Sequence, residues 1–239
     1  MFILGLTKTT LLDYPEHVAA TIFTGGCNFR CPFCHNRDLV LVQESFPALQ
    51  VTPYTEEGIL AFLRKRAGVL TGVCITGGEP TLQKDLPDFL ARIKELGLLV
   101  KLDTNGYQPN VLRHLLNKRL IDYCAMDIKN SPEKYSVTTG LKSCDLSLIR
   151  ESVSCLLSQT GYFPYEFRTT VVRELHTKDD MYIISDWLRG ASAYYLQSYT
   201  DSDQVITPGY HAHSTQTLKE FRDICLENIP NTQLRGVDI

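Results

Sequence analysis

The chain has 239 residues, 44% of them hydrophobic, with 24 basic against 27 acidic side chains and a formal net charge of -3. That length and apolar fraction suffice for one filled core, so a single domain over residues 1–239 is expected. A near-neutral balance without any block of like charge excludes a nucleic-acid surface of the usual basic kind. No basic region precedes an apolar segment at the N-terminus and no apolar run approaches membrane-spanning length, so no leader and no membrane contact are read, and a cytoplasmic protein is expected.

Taken in order, residues 18–23 (Val-Ala-Ala-Thr-Ile-Phe) are almost continuously apolar, as in a parallel strand covered on both faces. After a polar, Pro-punctuated loop over residues 44–53, Thr55-Glu56-Glu57 opens a helix with Ile59, Leu60, Phe62 and Leu63 on its apolar side. Arg64-Lys65-Arg66 closes it and Gly68 marks its end. Val73-Cys74-Ile75 reads as a strand, Gly77-Gly78 as its turn, and residues 85–96 as a helix stopped by Gly97. Residues 98–102 form the next strand, Asp103-Thr104-Asn105-Gly106 its loop, and a helix from Pro109 carries Val111, Leu112, Leu115 and Leu116 on one face. Residues 121–128 make a fourth strand, and residues 130–144 are polar and turn-rich. An amphipathic helix through Leu146, Ile149, Val153 and Leu156 precedes a fifth strand at 166–172. A helix with Met181, Ile184, Trp187 and Leu188, a sixth strand at 194–197 and a last helix around Leu218, Phe221, Ile224 and Cys225 complete the alternation.

Strands separated by helices, with the unusual polar residues just after each strand, predict a parallel sheet with right-handed crossovers. A closed eight-unit barrel usually takes about 250 residues without long loops. The expected fold is therefore α/β, an open partial (β/α)6 TIM-like barrel whose active face lies at the strand carboxyl ends.

The densest chemistry is in Gly25-Gly26-Cys27-Asn28-Phe29-Arg30-Cys31-Pro32-Phe33-Cys34-His35-Asn36, where three cysteines stand at C-x3-C-x2-C spacing. Structural zinc sites and ordinary four-thiolate clusters complete their coordination with four protein ligands, whereas three leave a metal vertex open. A zinc knuckle with His35 as fourth ligand is the alternative reading. Cys74, Cys124, Cys144, Cys155 and Cys225 share no ligand spacing and read as small buried hydrophobes.

The cysteine loop resembles the signature of the radical S-adenosylmethionine (SAM) superfamily. The resemblance implies a [4Fe-4S] cluster on Cys27, Cys31 and Cys34, with the remaining iron chelating the SAM amino and carboxylate groups. Phe33 is implied near the SAM adenine, or as a lid shielding the cluster, and His35 beside it. Thr76-Gly77-Gly78-Glu79-Pro80 is similar to the superfamily's Gly-Gly-Glu-Pro motif, which places Gly77, Gly78 and Glu79 at the SAM amine; by itself the stretch is an ordinary turn. Asp103-Thr104-Asn105-Gly106 and Asp127-Ile128-Lys129 resemble paired motifs of the glycyl-radical-enzyme activating enzymes. By that resemblance Asp103, Thr104, Asp127 and Lys129 contact SAM, and Asp103 with Asp127 holds a monovalent cation. Arg168 and Gln197 are implied as strand-borne SAM contacts, with Arg168 either a ligand or half of a buried ion pair, with Glu166 only if the strand bends.

Across essentially the whole chain, from Gly5-Leu6 and Leu12-Asp13-Tyr14-Pro15 onward, the sequence looks like the anaerobic ribonucleoside-triphosphate reductase activating proteins. The implied activity is reductive SAM cleavage to a 5'-deoxyadenosyl radical and hydrogen abstraction from a glycine of a partner, with a flavodoxin- or ferredoxin-type electron donor. The rival readings are a small-molecule radical SAM enzyme resembling 7-carboxy-7-deazaguanine synthase, and a non-catalytic metal-binding module. Arg173-Glu174-Leu175-His176 departs from the proline-glycine turn of many relatives. It and residues 43–53 are expected to shape the partner surface. His211 and His213 resemble a two-histidine metal arm but read more simply as a loop.

Overall fold

The computed structural model describes residues 1–42 and 53–237. Its strands are β1 (Ile3–Thr10), β2 (Ala19–Thr24), β3 (Gly72–Gly77), β4 (Leu99–Thr104), β5 (Tyr123–Asp127), β6 (Tyr165–Val171), β7 (Tyr194–Ser198) and β8 (Thr232–Arg235), ordered in the sheet as in the chain. β1 runs antiparallel to β2, while the pairings β2–β3, β3–β4, β6–β7 and β7–β8 are parallel. The described helices are α1 (Arg37–Val40), α2 (Glu56–Lys65), α3 (Leu86–Glu95), α4 (Pro109–Asn117), α5 (Tyr135–Thr139), α6 (Leu146–Leu157), α7 (Lys178–Trp187) and α8 (Thr215–Leu226). None of them is long and apolar enough to cross a membrane. This is the open, strand-helix α/β fold expected, with the six anticipated strands as β2 to β7.

Internal contacts divide the chain into two compact units. The first comprises Met1–Asn28, Asp38–Thr104 and Gln108–Cys124. Here Thr55 caps α2 by accepting the Gly58 N–H, and Glu56 and Glu57 occupy the positive end of the helix. α3 lies between Asp85 and Leu96, and its Leu86, Phe89, Leu90 and Ile93 are fully buried. Each such side chain contributes roughly 1.5–3 kcal/mol by leaving water. β2 presents Ala19, Ala20, Thr21 and Ile22 to the interior without alternation, because both its faces are covered.

The second unit comprises Phe29–Arg37, Asn105–Tyr107 and Ala125–Ile239. Thr177 and Asp180 form a reciprocal capping box at the start of α7. Val153, Leu156, Met181, Ile184, Leu218 and Cys225 form its helical core faces. The turn-rich segment before α6 contains a 3-10 turn at Pro132–Lys134 and the short α5, which ends on left-handed Gly140. Cys74, Cys124 and Cys225 are buried as expected, whereas Cys144 and Cys155 are only partly so.

Two strands were not anticipated. β1 is half exposed and interrupted by Gly5, so its apolar alternation is weak, and β8 has only four residues. The loop expected over residues 44–53 lies, apart from its last residue, outside the described residues. Glu166 has a partner that was not anticipated. It is fully buried, and its carboxylate accepts two bonds from Arg235 of β8, at 2.7 and 2.9 Å. A bidentate guanidinium satisfies both oxygens of the buried carboxylate. Arg235 also lies 3.4 Å from the Tyr195 ring centroid. Arg235→Leu should therefore cost about 2–3 kcal/mol, below the full buried-pair range because Arg235 is partly exposed. Urea unfolding would check this, and an unchanged midpoint would remove the role given to the pair.

Candidate functional site

In the first unit the cysteine loop begins where β2 ends. The Gly26 N–H donates to the Leu39 carbonyl at 2.7 Å, and the Gly26 carbonyl accepts from the Glu79 N–H at 2.8 Å. Gly78 N–H donates to Thr24 at 2.8 Å. A Cβ on Gly78 would stand 2.0 Å from the Gly26 carbonyl oxygen, and one on Gly77, whose φ is +117°, 2.4 Å from the Thr24 backbone. The paired glycines thus let the β3 loop lie directly on the start of the cysteine loop. Glu79 is buried, and one of its oxygens accepts from the Thr81 N–H at 3.1 Å and the Thr104 hydroxyl at 2.8 Å. It therefore ties the ends of β3 and β4 together. Asp103, two residues along β4 from Lys101, is bonded by the Lys101 ammonium. Lys101 was not among the residues singled out, although a lysine inside an apolar strand was its visible signal.

In the second unit Pro32 and Phe33 form a turn closed by the Cys34 N–H donating to the Cys31 carbonyl at 3.0 Å. Arg30 N–H donates to Thr139 at 2.8 Å, and Thr207 N–H to Pro32 at 2.8 Å, so the loop is held from two sides. A Cβ on Gly140 would meet the Arg30 carbonyl at 2.2 Å. Phe33 and Cys31 are buried. His35 is turned to the Thr200 carbonyl and stacks on Tyr199 with ring centroids 5.4 Å apart. A cleft of about 450 Å³ lies beside these residues, lined by Arg37, Asp201, Asp203, Val205, Ile206 and Pro208.

Asp127 accepts from the Lys129 ammonium and from Arg168 Nε, each at 2.9 Å. Arg168 is thus half of an ion pair with Asp127. Burial opposes ionisation of Asp127, yet the Arg168 guanidinium and Lys129 ammonium outweigh it and hold the carboxyl well below its usual range. Burial likewise disfavours the Lys129 ammonium, but Asp127, with the Cys31 and Cys34 thiols nearby, raises it. Burial pushes the Cys34 thiol up, opposed by the Asn36 backbone N–H and by Lys129. Gln197 lies on β7 opposite Thr170 of β6.

Cys27, Cys31 and Cys34 form no disulfide, and the donor set of the loop suits an iron-sulfur cluster: three soft sulfurs, with the adjacent His35 engaged elsewhere. Among the described residues no three His, Cys, Asp or Glu side chains are arranged to hold a single metal ion. A cubane gives each thiolate its own metal and asks for no such convergence. His211 and His213 form no metal arm: His211 Nδ1 lies 2.8 Å from Glu174, and His213 Nε2 lies 3.0 Å from the His176 carbonyl.

The segment that departs from the family pattern seats a buried histidine. The Val172 N–H donates to His176 Nδ1 at 3.0 Å, which leaves the Nε2–H to donate to the Lys129 carbonyl at 2.8 Å. The Lys129 N–H donates to the Tyr135 hydroxyl at 3.3 Å. Asn130 donates to Thr138 and to the Leu175 carbonyl, and Ser131 donates to Asp180 at 2.7 Å. The backbone carrying Lys129 is thereby fixed by side chains from α5 and from the β6–α7 connection. Burial lowers the His176 pKa from 6.5 to about 4. Between these values the unfolded chain binds the proton and the folded chain does not, so this group makes stability fall as pH falls from 6.5 to about 4. The loss is on the order of 3 kcal/mol. Denaturant unfolding of the apoprotein across this range should show a shallower pH dependence for His176→Gln, and parallel curves for the two proteins would remove the assignment.

The sequence profile of the radical SAM superfamily matches residues 21–153. A Methanocaldococcus jannaschii protein, provisionally named a glycyl-radical enzyme activating enzyme, is 32% identical over 201 residues, covering 83% of this chain and 80% of that protein. A 7-carboxy-7-deazaguanine synthase from Thermococcus kodakarensis is 34% identical over 123 residues, covering 46% of this chain and 48% of its own. Among solved structures, Streptococcus suis SuiB superposes with a TM-score of 0.70 at 13% identity over 91% of this chain, which spans about half (49%) of SuiB. The SuiB likeness shows the fold; the profile and the archaeal relative show descent, and the chain belongs to the radical SAM superfamily and, within it, to the family of glycyl-radical enzyme activating enzymes.

Proposed function

We propose that the protein, as a single catalytic core, activates a glycyl radical enzyme, namely an anaerobic ribonucleoside-triphosphate reductase. The net reaction consumes one SAM and one electron from a flavodoxin- or ferredoxin-type donor, removes a hydrogen atom from a partner glycine, and yields methionine, 5'-deoxyadenosine and a glycyl radical. The observation that carries this reading is the extent of the archaeal match, 83% of this chain, against 46% for the deazaguanine synthase. A domain-wide likeness supports a shared reaction more strongly than one confined to about half of each chain.

Cys27, Cys31 and Cys34 would hold a [4Fe-4S] cluster, which when bound would supply the electron for reductive cleavage of SAM. The chain's own residues bind, orient and exclude water. The Lys129, Asp127 and Arg168 group carries one carboxylate and two cations, a net positive charge suited to the SAM carboxylate. Gly77 and Gly78 bring the β3 loop onto the cysteine loop, and Glu79 and Thr104 are fixed against each other before any ligand arrives. Buried Phe33 shields the thiols from solvent, and Asp103, His35 and Gln197 complete the assigned SAM contacts. The cleft beside Arg37 and Asp201 offers a partner segment a place next to the loop. Hydrogen-atom transfer needs no general base, in keeping with a site built from thiols, ion pairs and backbone.

The test is anaerobic reconstitution with SAM, a reductant and an anaerobic ribonucleotide reductase, read by electron paramagnetic resonance. A glycyl doublet dependent on this protein is expected. SAM cleavage with no glycyl signal would sink the activase reading and favour a small-molecule radical SAM enzyme. Cys31→Ala should abolish both SAM cleavage and the iron-sulfur absorption while leaving the circular dichroism of the fold intact, and retained cleavage would remove the cluster assignment.

A further inference from the structure

Lys101 sits on β4, directly opposite Cys74 of β3 in the parallel register, and is only 3% exposed. Its ammonium contacts the Asp103 carboxylate and lies 3.8 Å from the Cys74 sulfur. Residues two apart on a strand share a face, so the charge of Lys101 and that of Asp103 are delivered to the same side of β4. A buried ammonium is tolerable only where a counter-charge and hydrogen bonds compensate its lost hydration. Asp103 provides that compensation, and in return it is neutralised from within the sheet.

The other carboxylate of the expected cation site is also already balanced. Asp127 faces two protein cations, Lys129 and Arg168, and accepts a hydrogen bond from each. A monovalent cation needs acidic oxygens with unspent negative charge and is repelled by an ammonium at close range. Neither aspartate meets that requirement, and the residues present do not fit the cation that the family resemblance implies.

We infer that Lys101 is a built-in replacement for that ion: a positioning residue whose ammonium holds Asp103 and supplies a positive charge beside it, making SAM binding independent of sodium or potassium. The inference rests on the SAM site of the proposed function. It also explains a lysine in an otherwise apolar strand, where an aliphatic residue would serve the core better.

Full-length protein, reconstituted anaerobically, would be equilibrated with labelled SAM at fixed ionic strength in sodium, potassium or the bulky N-methylglucamine cation. The wild-type Kd should agree across the three within about twofold. Lys101→Met, which keeps the length and apolar stem, should bind about tenfold or more weakly in the bulky cation and recover in sodium or potassium. A wild-type Kd that rises about tenfold when small cations are withdrawn would overturn the inference. So would a Lys101→Met protein indistinguishable from wild type in all three salts. The wild-type comparison needs no variant and decides the matter even if Lys101→Met fails to fold. Failure of the wild type to bind SAM in any salt would overturn the proposed function, and the inference with it; loss only in the bulky cation would overturn the inference and leave the function standing.

Discussion

The carboxylate of Asp127, held between Lys129 and Arg168, is the interaction on which the second unit's part of the site depends. Removing either cation would leave a partly buried charge short of compensation, a change worth roughly 3–5 kcal/mol when such pairs are broken. Their attraction holds three long or flexible side chains in one geometry, and it keeps the Lys129 ammonium near Cys31 and Cys34. The arrangement is expensive in desolvation, and its persistence points to the positive charge as the product that matters. A net cationic group next to soft thiols suits an anionic ligand group and an electron-accepting cluster.

Such a group needs a rigid mount, and the mount is polar. Lys129 is fixed through its carbonyl by His176 and through its N–H by Tyr135, both fully buried. Asn130, Ser131 and Asp180 continue the network, and Asp180 also caps α7. The same residues therefore end a strand, start a helix and orient a site side chain. Burial favours the neutral imidazole, which both donates and accepts along a ring edge, and no aliphatic side chain could replace those two bonds. In the first unit the mount is steric instead: Gly77 and Gly78 admit the cysteine loop by lacking a Cβ, and Glu79 locks β3 to β4.

Much of this was legible in the chain. The alternation of apolar strands and amphipathic helices has a period that survives reading by eye, and the helices after the N-cap positions Thr55 and Asp85 start where expected. β1 and β8 escaped because an exposed edge and a four-residue strand leave little periodic signal. The glycines of the β3 loop were visible as a motif, but their reason was not: only the approach of Gly26 to Gly78 shows that they serve packing between loops. His176 stood in a stretch marked as unusual, yet nothing local reveals that it points inward at Lys129, 47 residues away.

By itself the sequence determined the strand-helix order, the three-thiol loop and the carboxylates at the ends of strands β4 and β5, because spacing along one chain is a local property. The tertiary structure decided which charge meets which. Arg168 pairs with Asp127 and Glu166 with Arg235, across 41 and 69 residues, and Lys101 turns to Asp103 within its own strand. Charge pairing is settled by which strands lie side by side and which faces they share, and under burial an ion takes the partner that compensates its desolvation. No count of residue types between two positions carries that information.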